Sequence, residues 1–205
     1  MMPSHRHREP YAALVLDGSY DEMSADGRFS CGEGVLVVHP SWHAHANQFG
    51  NGGAVVLNLP VTAADSLSAM QVPDPAAIAK IAMSDPHEAG LAAMEEADTC
   101  PPLTPSPWLS RLTVLLGTEH NSDIGELAAR CGVTPEHASR ACKRWFGLGP
   151  ASLRREGRLR TAIELLMQGA RPVEAALAAG FCDQPHLTRL LKQATGYTPA
   201  RFSSR

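Results

Sequence analysis

The chain has 205 residues, a formal net charge of −3 at pH 7 and five cysteines. This length allows one large domain or two small ones. No apolar run approaches the roughly twenty residues of a membrane span, and the first residues lack the apolar core of a signal peptide. The cysteines are odd in number and form no Cys-x-x-Cys pair, which argues against a disulfide framework or a zinc knuckle. We therefore expect a cytoplasmic protein with reduced thiols and no membrane partner.

The first half of the chain alternates short apolar runs with turn residues. The apolar runs lie at residues 11–16, 34–39 and 54–59, and glycine-containing turns separate them. Apolar runs bounded by such turns predict strands, and together they predict a small antiparallel β-barrel. Residues 76–83 and 88–97 are rich in Ala and Met at helical spacing, which predicts two helices packed on the barrel or across a homodimer.

Two histidine-containing segments accompany the predicted strands. His5-x-His7 precedes the first strand, and Gly34-x5-Pro40-x4-His45-x-Asn47 includes a later one. These segments resemble the two short motifs of the cupin fold. The resemblance implies that the first half is a cupin-like domain that binds an effector.

The cupin resemblance also implies a metal site. Imidazole and carboxylate ligands together suit Zn, Fe, Mn or Ni, and His5, His7 and His45 supply three such ligands. The glutamate position of the first motif falls at Tyr11, and Glu22 lies one hairpin away, so the fourth ligand is missing or relocated. A divalent metal site and a small-molecule pocket without metal both stay open.

Two further histidines lie close to the second motif. His39 and His43 flank Pro40 and Trp42 at the predicted end of a strand. Residues at strand ends commonly face solvent, so we expect His39 and His43 on the surface rather than among the ligands.

A proline-rich segment divides the chain into halves of opposite charge. Four prolines occur within residues 100–107, which predicts a linker. Residues 1–105 contain 4 Lys and Arg against 13 Asp and Glu, whereas residues 106–205 contain 14 against 8. A basic half suits the phosphate backbone of nucleic acid, and an acidic half suits sensing or self-association. We predict domains at 1–100 and 108–205, with a linker at 101–107.

The second half contains one pattern twice, at residues 125–147 and 174–196. In each copy, a short Ala-rich helix ends in Gly, an apolar residue fills the turn, and a second helix begins behind a polar cap, Thr134 or Asp183. This is the pattern of a helix-turn-helix unit. Residues 151–169 predict a long helix that joins the two units.

Both copies end in Gly-x-x-Pro, and the most diagnostic stretch runs from residue 178 to residue 189. The paired pattern resembles the DNA-binding domain of the AraC/XylS family of transcription regulators, many of which sense effectors with a cupin-like domain. The resemblance implies an α+β chain with an N-terminal barrel and an all-α C-terminal domain. It also implies double-stranded DNA as a partner.

The residues expected to contact DNA share the exposed face of the second helix of each unit, as spacings of three and four indicate. They are Glu136, Ser139, Arg140, Lys143 and Arg144 in the first unit and Gln184, His186, Arg189 and Lys192 in the second. Arg140 can contact guanine and Gln184 can contact adenine through paired hydrogen bonds. Two such helices on one face would enter successive major grooves about 10 bp apart.

Three classes of function fit these features. The first is a transcription regulator whose first domain senses a small molecule or metal and modulates DNA binding or dimerisation. The second is a cupin metalloenzyme fused to a DNA-binding domain, and the third is a purely structural DNA-binding or partner-binding protein without an effector. The residues favour the regulator over an enzyme, because the missing glutamate leaves a catalytic metal site incomplete.

Overall fold

Residues 2–202 of the computed structural model form two compact units. The first unit comprises the chain up to Thr104 together with Trp145–Gly147, and the second comprises Pro105–Arg144 and the chain from Leu148 onward. Within residues 2–202, no helix is both long enough and apolar enough to cross a membrane.

The first unit is built on one antiparallel sheet of seven strands. The strands are β1 (Met2–Arg6), β2 (Tyr11–Ser24), β3 (Gly27–Cys31), β4 (Val35–His39), β5 (Ala44–Pro60), β6 (Ser68–Gln71) and β7 (Asp98–Cys100). Their order is β1-β5-β2-β4-β6-β7, and β3 pairs with β2. The two longest strands, β2 and β5, pair from Tyr11 opposite Pro60 to Ser24 opposite His45 and form the centre of the sheet.

The prediction of a closed barrel was wrong. Among the described strands, the edge strand β1 pairs only with β5, and the other edge strand β7 pairs only with β6. The sequence pattern suggested several short strands separated by turns, which favours closure. Instead, the glycine-containing segment before residue 54 continues as part of the 17-residue strand β5. The predicted turn is therefore part of a long strand, and the sheet is open.

Buried apolar clusters lie on both faces of the sheet, since successive side chains along a strand point to opposite faces. On one face, Leu14, Leu36 and Leu59 pack with Ile78 and Ala89 of two helices, α1 (Pro75–Ala82) and α2 (Pro86–Glu96). These helices lie close to the two segments predicted at 76–83 and 88–97. On the other face, the core residues include Val15, Tyr20, Phe29, Val35 and Val37. All five residues of β4 are buried as a result.

The second unit is helical in its described part. Its elements are α3 (Pro107–Thr118), α4 (Ile124–Arg130), α5 (Pro135–Phe146), α6 (Pro150–Met167), α7 (Pro172–Ala178), α8 (Gln184–Thr195) and a short 3-10 turn (Pro199–Arg201), and the last two residues of α5 are grouped with the first unit. Four of these helices begin with proline, whose fixed φ suits a first helical position and whose missing N–H is not needed there. The long helix α6 joins the pairs α4–α5 and α7–α8, and Leu112, Leu127, Leu166, Leu187 and Leu191 are fully buried in this unit.

Candidate DNA-binding surface and histidine cluster

The two helix pairs turn through the same backbone geometry. Gly132 and Gly180 have φ angles of 75° and 77°, a conformation that glycine adopts without steric cost. In each turn, the N–H of the next residue donates to the carbonyl five residues earlier, at 3.1 Å from Val133 and 2.9 Å from Phe181. These are the hydrogen bonds of a Schellman motif, so each first helix ends in the same way.

Each second helix begins at the polar cap that the sequence predicts. The Thr134 hydroxyl oxygen accepts a hydrogen bond from the N–H of His137 at 3.2 Å. The Asp183 carboxylate accepts one from the N–H of His186 at 2.7 Å. A side-chain acceptor at this position satisfies a backbone N–H that has no partner within the helix. The repeat in the sequence therefore reflects two helix-turn-helix units with matching starts and ends.

The exposed face of α5 carries the residues that the sequence predicts for it. Glu136, Arg140, Lys143 and Arg144 are exposed and Ser139 is half-buried. The opposite face packs into the unit, where Ala138 and Cys142 are fully buried.

The Glu136 carboxylate on this face is held in its ionised form. The backbone N–H of Glu136 and the Thr134 hydroxyl hold the pKa of the Glu136 carboxyl below its usual value, and nearby Arg140 adds to this effect.

The exposed face of α8 matches the prediction at three of its four positions. Gln184, Arg189 and Lys192 are exposed. His186 differs, because it is half-buried and its ring packs edge-on against Phe181 at a centroid distance of 5.4 Å. Spacing alone placed His186 outward, but the apolar residue in the turn lies close enough to cover part of its ring.

Two arginines of α6 contact the loop between α3 and α4. Arg154 Nη1 donates to the carbonyl of Ser122 at 2.9 Å, and Arg158 Nη2 donates to the carbonyl of His120. Both arginines are half-buried, so these hydrogen bonds fix the loop onto the long helix. The exposed arginines of the same helix are Arg155 and Arg160.

Comparisons with known proteins concern mainly this helical unit. A family model described as a helix-turn-helix domain matches residues 127–205. The uncharacterised HTH-type transcriptional regulator YbfI of Bacillus subtilis is 34% identical over 67 residues, which is 33% of this chain and 24% of YbfI. The helical unit is an AraC-type helix-turn-helix domain. The resemblance inferred from the repeated pattern is thus confirmed.

Solved structures are also similar to this chain. A transcriptional regulator with an AraC-type DNA-binding domain from Chromobacterium violaceum has 27% identity and a TM-score of 0.44, over 48% of this chain and 90% of that one. ToxT from Vibrio cholerae has 8% identity and a TM-score of 0.47, over 98% of this chain and 92% of that one.

The β-sheet unit that precedes the AraC-type domain contains a cluster of histidines. His5 on β1 lies opposite His45 on β5, and their ring centroids are 4.2 Å apart. The His7 ring stacks on His45 at 5.5 Å. Each of these three residues offers a ligand atom within 4.8 Å of the other two. The structure therefore brings together the three histidines predicted to bind a metal, although metal binding itself stays a prediction.

The prediction that His39 and His43 lie on the surface was wrong. Their relative exposures are 2% and 6%, and they form a second group with His45 in which the ligand atoms again lie within 4.8 Å of one another. His39 is the last residue of β4, which is buried on both faces, and its ring stacks on Tyr11 at 4.5 Å. The Nε2 atom of His43 lies 2.8 Å from Asp26 Oδ2.

The turn between β4 and β5 holds these histidines against β1. Trp42 adopts a φ of 63°, which is unusual for a large side chain. Its N–H donates to the carbonyl of His7 at 2.8 Å, and Arg6 Nη1 donates to the Trp42 carbonyl at 2.8 Å. Strained conformations of this kind persist where surrounding contacts fix them, often at functional sites. A local sequence pattern cannot show that β1 returns to this turn.

Burial keeps the inner histidines neutral. Burial and the neighbouring histidines lower the pKa of His39 to about 2 and that of His45 to about 3. Burial also raises the pKa of the fully buried Glu22 to about 8, although Asn47 Nδ2 donates to Glu22 Oε2 at 2.6 Å and opposes the shift. Glu22 and Asn47 thus add a carboxyl and an amide to the cluster, and only Asn47 lay within a sequence motif.

Proposed function

We propose that this protein is a sequence-specific transcription regulator that binds double-stranded DNA through α5 and α8. The observation that carries the proposal is the repeated exposed face of the two helices. Arg140 and Arg189 each lie six residues after the cap of their helix, and Lys143 and Lys192 each lie nine residues after it. The same residue types therefore project from the same turns of two helices in an AraC-type domain.

The residues on these faces have different roles in DNA binding. Arginine matches the two acceptors of guanine, and the amide of glutamine matches the donor and acceptor of adenine, so Arg140, Arg189 and Gln184 read bases. The residues that contact phosphates and fix the position on the duplex are Lys143, Arg144 and Lys192. Further contacts on the two faces come from Glu136, Ser139 and His186.

A selection from a random duplex library tests this function. Purified full-length protein retains duplexes in which two short conserved boxes lie about 10 bp apart, because one turn of DNA separates successive major grooves on one side. Retention without sequence enrichment, with and without metal ions, would leave only non-specific binding and refute the proposal.

The β-sheet unit serves, in this proposal, as the regulatory part of the chain. It binds a small-molecule or divalent metal effector, and the bound state changes DNA binding or self-association across the proline-rich segment at 101–107. A change of this kind requires that the protein have two states that differ in DNA binding or self-association, and that the effector bind one of them more tightly than the other. The buried polar cluster of His39, His45 and Glu22 supports the proposal, because apolar residues would fill a purely structural core.

A catalytic role is not part of this proposal. The Tyr11 hydroxyl lies 3.1 Å from His45 Nε2, where the cupin resemblance implies a carboxylate ligand. Burial keeps the pKa of the Tyr11 hydroxyl far above neutrality, so it remains protonated and serves as a hydrogen-bonding group.

A further inference from the structure

The β-sheet unit contains a histidine group that neither cupin-like motif predicts. His39, His43 and His45 each offer a ring nitrogen, and the three atoms lie within 4.8 Å of one another. All three side chains are at least nine-tenths buried. The group shares only His45 with the predicted set, so it is a separate candidate site.

Within residues 2–202, one ring nitrogen of each histidine in this group lacks a hydrogen bond. The Nδ1 atoms of His39, His43 and His45 are buried, and none has a partner among the residues that the structure describes. Buried polar atoms in folded proteins nearly always have a partner. Three unpartnered nitrogens on neighbouring rings therefore point to a ligand that accepts electron pairs, which is the chemistry of a transition-metal ion.

Two neighbouring oxygen atoms favour the tautomer of His43 and His45 that leaves the lone pair of Nδ1 free. His43 Nε2 lies 2.8 Å from the Asp26 carboxylate, and His45 Nε2 lies 3.1 Å from the Tyr11 hydroxyl. When the Nε2 proton is donated to such an oxygen, Nδ1 keeps its lone pair and becomes a better ligand. Metal-ligating histidines usually have a hydrogen-bond partner of this kind on the second nitrogen.

A buried carboxyl group also lies beside the site. Glu22 Oε1 is 3.8 Å from His39 Nδ1 and has no hydrogen-bond partner among the described residues. Its other oxygen accepts a hydrogen bond from Asn47 Nδ2 at 2.6 Å. A cation held by the histidines would be stabilised by this carboxyl group in its ionised form.

We infer that His39, His43 and His45 bind a divalent transition-metal ion, with Zn²⁺ as the best match to three imidazoles. Asp26 and Tyr11 act as positioning residues that orient the rings of His43 and His45. Three protein ligands leave one tetrahedral position for water or a small anion. The inference rests on the proposed effector role of the β-sheet unit, while DNA binding by α5 and α8 is a separate activity.

Zinc titration of the full-length protein tests the site. The protein is prepared without a polyhistidine tag, stripped with a chelator and titrated with Zn²⁺ in competition with a chromophoric chelator. The wild type binds one Zn²⁺ per chain, and Co²⁺ in its place gives the intense visible absorption of a tetrahedral site. His43→Gln weakens Zn²⁺ binding at least a hundredfold, and Asp26→Ala weakens it about 10- to 100-fold.

The matched control is the double variant His5→Ala and His7→Ala, which retains His45 and keeps the wild-type affinity within about threefold. Each metal-free variant is checked by circular dichroism, and Asp26→Ala keeps the test valid if His43→Gln does not fold, since Asp26 is partly exposed. Two results would overturn the inference. One is a wild type that binds neither Zn²⁺ nor Co²⁺, and the other is loss of binding in the double variant with retention in His43→Gln.

Binding of the full-length protein to a selected DNA site is measured separately by fluorescence anisotropy. This measurement distinguishes a failure of the proposed metal site from a failure of the proposed DNA-binding function. A protein that binds its DNA site but no metal overturns the metal site alone. A protein that binds one Zn²⁺ as described but no specific DNA supports the metal site and contradicts the proposed function.

Discussion

Replacing Gly180 with alanine tests the packing between the second helix-turn-helix unit and the loop between α3 and α4. A Cβ atom at Gly180 would lie 2.4 Å from His120 Cδ2 and 2.8 Å from His120 Cγ, which is far inside van der Waals contact. The equivalent glycine of the first unit, Gly132, has nearly the same φ, and a Cβ there meets nothing within 4 Å. Gly132→Ala is therefore a matched control for backbone strain alone.

The two substitutions differ by the cost of the steric clash. Alanine in the left-handed conformation costs about 1–2 kcal/mol, so Gly132→Ala lowers the free energy of unfolding by that amount. Gly180→Ala adds the cost of moving a packed ring, about 1–3 kcal/mol. The loop cannot simply retreat, because Arg154 and Arg158 both hydrogen-bond to the carbonyl of His120. We expect a total loss of about 2–5 kcal/mol for Gly180→Ala.

Urea unfolding followed by far-ultraviolet circular dichroism measures these losses in the full-length chain. The same measurement on His120→Ala and on the double variant with Gly180→Ala completes a double-mutant cycle. Without the imidazole, Gly180→Ala should cost no more than Gly132→Ala. If Gly180→Ala costs the same with and without His120, or no more than Gly132→Ala in the wild-type background, the proposed contact does not constrain the turn.

Three further predictions concern the cap, the phosphates and the regulatory unit. Asp183→Ala removes the acceptor for the N–H of His186 and should lower the free energy of unfolding by about 1 kcal/mol. Asp183→Asn should retain most of this stabilisation in the same urea assay, because asparagine also caps a helix. Lys192→Ala should weaken binding to specific and unrelated duplexes alike, and it should reduce the slope of log affinity against log salt concentration by about one. A loss of affinity confined to the specific duplex would make Lys192 a base-reading residue. Removal of residues 1–100 should leave specific DNA binding but abolish its response to effector or chelator, and a response that survives the deletion would contradict a regulatory β-sheet unit.

The helical domain could be predicted because short stretches of its sequence specify its helices and turns. Caps, the glycines of the turns and apolar spacing all act within a few residues, so two copies of one pattern specify two helix-turn-helix units. Contacts between side chains of one helix and a loop distant in the sequence were not predicted. Arg154 and Arg158 share a polar helix face in the sequence, yet they bond to carbonyls of a loop more than thirty residues away along the chain.

The β-sheet unit was harder to predict because its site depends on long-range pairing. His5, His7 and His45 could be grouped because two motifs placed them, and the pairing of β1 with β5 brings them together. His39 and His43 could not be placed in this way. The turn beside them holds Trp42 in a left-handed conformation and bonds to Arg6 and His7, which no local pattern indicates.

Dissociation constants of Arg140→Ala and Arg189→Ala on a selected DNA site and on an unrelated duplex test the central claim most directly. A lost pair of hydrogen bonds to a base costs about 1–3 kcal/mol, so each substitution should weaken specific binding about 5- to 150-fold. Non-specific binding should change by less than about threefold, because the remaining cations still contact phosphates. Equal losses on both duplexes would show that α5 and α8 do not read sequence through these arginines, and would contradict the account.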